Sequence, residues 1–156
     1  MSLFTKPSDR QTDIGLTVLR VAIGAIFMAH GGQKLFVWGF DGVAGGFAQM
    51  GIPMASVMGP FIGLLEFFGG FALIVGLLTR LASLGLASTM VVAILVVHAK
   101  AGFFNPAGVE FPLSLLASTL LLVLTGAGSW SVDAIIARSR KVEAVETGRP
   151  AVRRAA

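Results

Sequence analysis

The sequence contains no cysteine. That excludes disulfides, thiolate metal ligands, iron–sulfur clusters and thiol catalysis by this chain itself. Charge is scarce. Asp, Glu, Lys and Arg make up 13% of the residues, against roughly 25% in soluble domains. Histidine occurs only twice. No phosphate-cradling glycine loop, dinucleotide fingerprint or nucleophile elbow is present, so nucleotide-dependent and hydrolase chemistries find no support. The formal charge of +4 resides mostly in the two tails. It speaks for orientation in a membrane and not for nucleic-acid binding.

What the chain does have is apolar length. Hydrophobic residues form 55% of its 156 positions and the mean hydropathy is +0.86. These values indicate an all-α integral membrane protein, one bundle without room for a second domain. Four segments qualify as spanning helices: 14–36, 57–78, 81–99 and 111–127. The last two are near the short end of the spanning range. Arg20 and the lack of a small-x-small cleavage site argue that the first segment is a retained helix and not a signal peptide. Residues 1–13 read as an N-terminal tail, 14–133 as the membrane domain, and 134–156 as a basic, disordered tail.

Lys6, Arg10, Arg20, Arg80, Arg138, Arg140 and Lys141 would all lie at one side. The loop 37–56 has no Lys or Arg, and the loop 100–110 has only Lys100. The asymmetry predicts that both termini are cytoplasmic and that these two loops face outward. The stretch Gly45 to Pro53 is apolar and glycine-rich, as expected of a short interfacial or re-entrant piece. Trp38 and Trp130 are expected at opposite interfaces.

Glu66 is the most unusual residue. It lies inside an apolar segment, where a carboxylate costs roughly 3 kcal/mol on insertion scales. Gly59, Gly63, Glu66 and Gly70 share one helical stripe. Small residues allow close helix approach, so this stripe turns Glu66 toward protein. On the first helix Thr17, Arg20, Gly24, Phe27, Gly31 and Lys34 form a similar stripe, flanked by His30. Counting rise along the helices brings His30, Gln33, Lys34, Glu66, His98 and Glu110 together in the outer half of the bundle. Arg20 lies deep on the opposite side, where Asp133 is its candidate partner. A weak similarity relates the two hairpins: His30 precedes Phe36, and His98 precedes Phe104, each by six residues.

Several motifs occur in a specific order. They are Leu19-Arg20 with Gly24, His30-Gly-Gly-Gln-Lys-Leu-Phe36, Phe47 to Pro53, and Gly63-Leu-Leu-Glu66-Phe-Phe-Gly-Gly70. They continue with Gly76-Leu-Leu-Thr-Arg80, His98 with Gly102-Phe-Phe104, Glu110-Phe-Pro112, and Ser129-Trp-Ser-Val-Asp133. With these motifs the chain resembles the DoxX family of small bacterial four-helix membrane proteins over residues 14–133. The resemblance implies an inner-membrane protein of a family often labelled oxidoreductase, with relatives associated with thiosulfate:quinone oxidoreductase and with quinone, catechol and oxidative stress.

The residues leave alternatives open. Glu66 is either a structural carboxyl bonded to a neighbouring helix or, with His30, a proton-exchanging group beside a quinone headgroup. Gln33, Lys34, His98 and Glu110 are either interfacial polar groups or headgroup contacts. Arg20, Asp133, Gly59, Gly63 and Gly70 read as structural. A bis-His haem between His30 and His98, or a metal on His30, Glu66 and His98, would have acceptable ligand types. No further signature supports either, and no metal is assigned. The expected function is a quinone-interacting subunit of a membrane oxidoreductase, with electrons from a soluble redox enzyme or a homologous subunit. A non-catalytic anchor or assembly factor is the first alternative. A small proton-coupled transporter, working as a homodimer, is the second. The expected partners are thus the lipid bilayer, a soluble redox enzyme or homologous subunit, and a second copy of the chain, with no nucleic acid.

Overall fold

A computed structural model describes residues 7–146. Six α-helices follow one another: α1 (Asp9–Gly32), α2 (Gly39–Gln49), α3 (Ala55–Val75), α4 (Thr79–Val92), α5 (Glu110–Thr125) and α6 (Val132–Glu146). Two π-helical turns, Gln33–Trp38 and Ala93–His98, extend α1 and α4 at the same end of the molecule. No strand occurs among the described residues.

Helix α1 begins five residues before the apolar segment because its polar first turn is capped. The Gln11 amide donates to Ser8 Oγ at 3.3 Å, and the Ser8 amide donates to Gln11 Oε1 at 2.8 Å. This reciprocal pair satisfies amides that the helix cannot. Helix α3 ends where Gly76 takes φ +71°. The Leu77 amide then reaches back to the Ala72 carbonyl at 2.9 Å, which closes the helix and reverses the chain into α4.

The main contact is between α1 and α3, which run antiparallel. A Cβ on Gly24 would stand 2.6 Å from the Gly70 oxygen. On Gly70 it would stand 2.5 Å from the Met28 nitrogen, and on Gly31 2.3 Å from the Phe67 nitrogen. No side chain fits between these backbones. Gly59 serves another contact, since its Cβ would meet Val43 Cγ1 at 3.0 Å where α2 lies across the start of α3. Gly69 and Gly85 let α3 and α4 approach through Leu86 and Leu65. Helices α4 and α5 pack together, and α5 returns to α1. Ile23, Phe27, Leu73, Leu86, Met90, Leu115 and Leu122 fill the centre.

Outward the molecule is equally apolar. Val18, Leu81, Leu95 and Leu124 are exposed, Leu124 by 76%. Apolar side chains on both the inside and the outside suit a lipid solvent. Three helical stretches are long and apolar enough to cross a membrane: Asp9–Gln49, Ala55–Val75 and Thr79–Ala101. The fourth expected span is α5, whose 16 residues extend about 24 Å.

The apolar, glycine-rich stretch 45–53 forms the end of α2 and the turn after it, and α2 is held by the burial of Val43 against α3. One expectation needs correction. The tail from 134 onward, expected to be disordered, is helical to Glu146. Its start is anchored by the Asp133 amide donating to the Gly76 carbonyl at 2.9 Å. Residues 147–156 and 1–6, with Arg149, Arg153, Arg154 and Lys6, lie outside the described residues.

The seam between α1 and α3 predicts a sharp contrast between two glycines. Gly70→Ala forces the backbones apart and should cost about 1–3 kcal/mol. Gly45→Ala, where a Cβ would meet nothing within 4 Å, should leave stability unchanged or raise it by up to about 1 kcal/mol. Thermal unfolding in mild detergent checks both. A Gly70→Ala protein as stable as the parent would show that the helices do not meet backbone to backbone.

Candidate functional site

The glycine seam determines what stands at its two ends. At one end, Gly63 leaves room for Lys34, and a Cβ there would sit 3.4 Å from Lys34 Cβ. Lys34 belongs to the π-helical turn that follows α1. Such widened turns redirect side chains and recur at functional sites. The ammonium of Lys34 donates to Glu66 Oε2 in a salt bridge. The two side chains are 15% and 6% exposed. Each charge therefore has its partner inside the protein, which resolves the cost of Glu66 read from the sequence.

A cavity of about 320 Å³ adjoins this pair. Lys34, Glu66, His30 and His98 contribute its polar wall, and Phe27, Phe111, Met90 and Leu115 much of its apolar wall. His30 stacks at an angle near Phe111, with ring centroids 6.2 Å apart. His98 ends the second π-helical turn. Its Nδ1 lies 2.6 Å from the Ala107 carbonyl oxygen. A carbonyl can only accept, so Nδ1 carries the proton, and Nε2 is the acceptor whenever the ring is neutral.

The structure thus gathers His30, Lys34, Glu66 and His98, as the helical stripes predict. It does not gather the other two. Gln33 is exposed and is not among the residues lining the cavity. It lies one residue before Lys34, on a different side of the helix. Glu110 has a loop-bracing position instead, with Oε1 accepting from the Asn105 amide at 2.7 Å. The same loop is closed by the Glu110 amide donating to the Phe103 carbonyl at 3.0 Å. It holds Pro106 over the cavity. Sequence reasoning does not single out Met90, Pro106 or Phe111. The one available signal was the Phe111-Pro112 pair opening α5.

At the other end of the seam stands Arg20, 3% exposed. Its expected partner is Asp133, but no salt bridge joins them. Arg20 Nη1 donates to the Leu73 carbonyl at 3.0 Å and to that of Ile74, and Nη2 to that of Trp130. The Leu73 and Ile74 carbonyls lie at the C-terminal end of α3, the negative end of its dipole, and the Trp130 carbonyl lies just before α6. Asp133 turns to the opposite pole. Its carboxylate accepts from the Leu78 amide at 2.7 Å and the Thr79 amide at 2.9 Å, at the start of α4. Arg20 and Asp133 both bind helix ends, and Asp133 acts on Arg20 as a nearby opposite charge without a direct salt bridge.

Among the described residues, no group of three His, Cys, Asp or Glu is placed to hold a metal ion. The chemistry of the cavity is therefore that of a paired ammonium and carboxylate, two imidazoles and an aromatic wall. Such a set can donate hydrogen bonds to an aromatic ligand and exchange protons with it.

The DoxX family profile matches residues 15–99. A Bacillus subtilis protein named "Putative oxidoreductase CatD" is 34% identical over 133 residues, covering 85% of this chain and 95% of the relative. An uncharacterized membrane protein of Mycobacterium tuberculosis is 32% identical, covering 74% and 77%. The inner membrane protein YqjF of Escherichia coli is 31% identical, covering 80% and 93%. No solved structure matches.

The ion pair makes a prediction independent of function. Lys34→Met leaves the Glu66 carboxylate without its partner and should cost about 3 kcal/mol or more. The double variant Lys34→Met/Glu66→Gln has no net charge to bury and should recover most of that loss. Thermal stabilities of the parent, the two single variants and the double variant close the cycle. Additive losses would mean that the pair contributes no coupling.

Proposed function

The chain belongs to the DoxX family of membrane proteins, and on that premise we propose that it is a multi-pass inner-membrane protein whose outer cavity receives a quinone headgroup. Four helices, α1 with its extension, α3, α4 and α5, cross the bilayer in this reading, and both termini are cytoplasmic. The Ser129 amide donates to Asp13 Oδ1 at 2.8 Å, so the start of α1 and the approach to α6 share one end. Arg80, Arg138, Arg140 and Lys141 belong to that end, as the positive-inside rule requires of the cytoplasmic face.

One observation carries the functional reading: a nearly sealed ion pair forms the wall of a cavity that is otherwise largely aromatic and aliphatic. An ion pair that only joined two helices would need no cavity beside it. A quinone ring is flat and apolar, with two carbonyl oxygens that accept hydrogen bonds. Lys34 offers ammonium protons and His30 an imidazole N–H, while the Nδ1 proton of His98 is engaged with the Ala107 carbonyl, leaving its Nε2 as a proton acceptor. The donor set therefore fits a dicarbonyl ring. A bound quinone supplies two-electron redox chemistry, taking up two protons when reduced. The electrons come from an oxidoreductase partner, since the described residues provide no carrier. Glu66, Lys34 and His98 hold and pass the protons, and the loop 102–109 limits access by water.

A second reading, in which the chain is a membrane anchor for a redox enzyme, has one observation in its favour. Helix α6 exposes Arg138, Arg140 and Lys141 at the end this reading makes cytoplasmic.

Quinone content separates the two. The parent and Glu66→Gln are purified in mild detergent and extracted with organic solvent, and quinone per protein is quantified by chromatography. The quinone reading predicts near-stoichiometric quinone in the parent and little in a monodisperse Glu66→Gln protein. Equal background levels in both would remove the quinone site and leave the anchor.

A further inference from the structure

We propose that the occupant of the outer cavity is a lipid-borne quinone with an isoprenoid tail, and that the tail leaves through a second cavity between α2, α3 and the extension of α4. This rests on the quinone reading above and narrows it, excluding small water-soluble quinones as the preferred ligand.

The second cavity measures about 220 Å³. It shares Lys34, Glu66, Met90, Ala93 and His98 with the first. The two therefore adjoin, with these side chains, the ion pair among them, as the wall between them. Beyond the shared residues the chemistry changes. Phe47 and Met50 come from α2 and its end, Ile62 from α3, and Val97 from the second π-helical turn. No charged side chain lines this part. The hydroxyl of Thr89, its one polar side chain other than the Trp38 indole, is already engaged, donating to the Leu86 carbonyl at 2.8 Å. Nothing there would recognise a second headgroup, whereas an unbranched or prenyl hydrocarbon needs only such a wall.

The position of the opening decides between a closed void and an exit. Trp38, Met50 and Val97 are 52%, 48% and 39% exposed. Trp38 stands at the end of the first π-helical turn, where an interfacial tryptophan is expected. The cavity thus leads from the charged pair to a surface that faces lipid near the headgroup level. A quinone entering sideways from the bilayer could place its ring at Lys34 and keep its tail in the membrane. Helix α2, which lies across α3 through Val43 and Gly59, forms the outer lip of this path.

The test uses the full chain in lipid vesicles, carrying Trp130→Phe so that Trp38 is the sole indole. Two probes share one methoxylated benzoquinone ring, one without a tail and one with a short prenyl tail. Both are titrated as mole fractions of the lipid, and quenching of Trp38 is followed. The tailed probe should bind at least about tenfold more tightly, because its chain gains an apolar wall. Val97→Phe, which narrows the second cavity, should erase that preference while tailless binding persists, and that persistence also reports a folded site. Equal affinity for the two probes would overturn the tail path and leave the headgroup reading intact. A preference that survives Val97→Phe would place the tail elsewhere and overturn the proposal. Binding of neither probe would end the quinone reading, and this inference with it.

Discussion

Everything distinctive in this molecule depends on how closely α1 approaches α3. Lipid offers helices no hydrophobic reason to associate, so contact must come from packing and polar bonds. Gly24, Gly31 and Gly70 remove the side chains that would hold the two backbones apart. Once the backbones meet, a lysine on one helix and a glutamate on the other are within reach. So are an arginine on one and the terminal carbonyls of the other. The seam, the ion pair and the guanidinium bonds are one construction.

The two inward-turned cations are treated differently, and the difference marks their roles. Arg20 is surrounded by backbone carbonyls from α3 and the segment before α6. Its fixed donors suit several fixed acceptors, and it lines neither cavity beside the ion pair. Lys34 has a single compact partner in Glu66 and adjoins two cavities. A point charge on a flexible stem can move between partners as a ligand arrives, which a guanidinium clamped by three carbonyls cannot do. Arg20 belongs to the scaffold, and Lys34 belongs with the site.

Much of this was legible from the residues. The membrane class followed from scarce charge and long apolar runs, and the glycine stripe around Glu66 turned that carboxylate inward. The same helical counting brought His30, Lys34 and His98 to one depth. What failed did so for physical reasons. Counting depth says nothing of direction around a helix, and so Gln33 was grouped with Lys34 although it points away. Opposite charges at one depth suggested that Arg20 meets Asp133. Both instead found helix ends, whose unsatisfied carbonyls and amides carry partial charges that composition does not display. The π-helical turns, which place Lys34 and His98, leave no mark in apolar periodicity. The helical tail beyond Asp133 was hidden because charge density outweighed the helix-forming residues there.

The bond from Arg20 to Trp130 spans 110 positions of the chain. At about 5–20 residues per second of synthesis, roughly 5 to 20 s separate the emergence of the donor from that of its acceptor. The first helix therefore meets the bilayer with its guanidinium unmatched, and the long side chain must reach back to the headgroups in the meantime. Leu73 and Ile74 bring relief after about half that interval, and Trp130 completes it only when nearly the whole described chain exists. In order of synthesis, Arg20 thus gains its α3 partners first and its Trp130 partner last. Truncation just before Trp130 would leave a protein with its helices present and that partner missing, which would make it a natural target for membrane quality control.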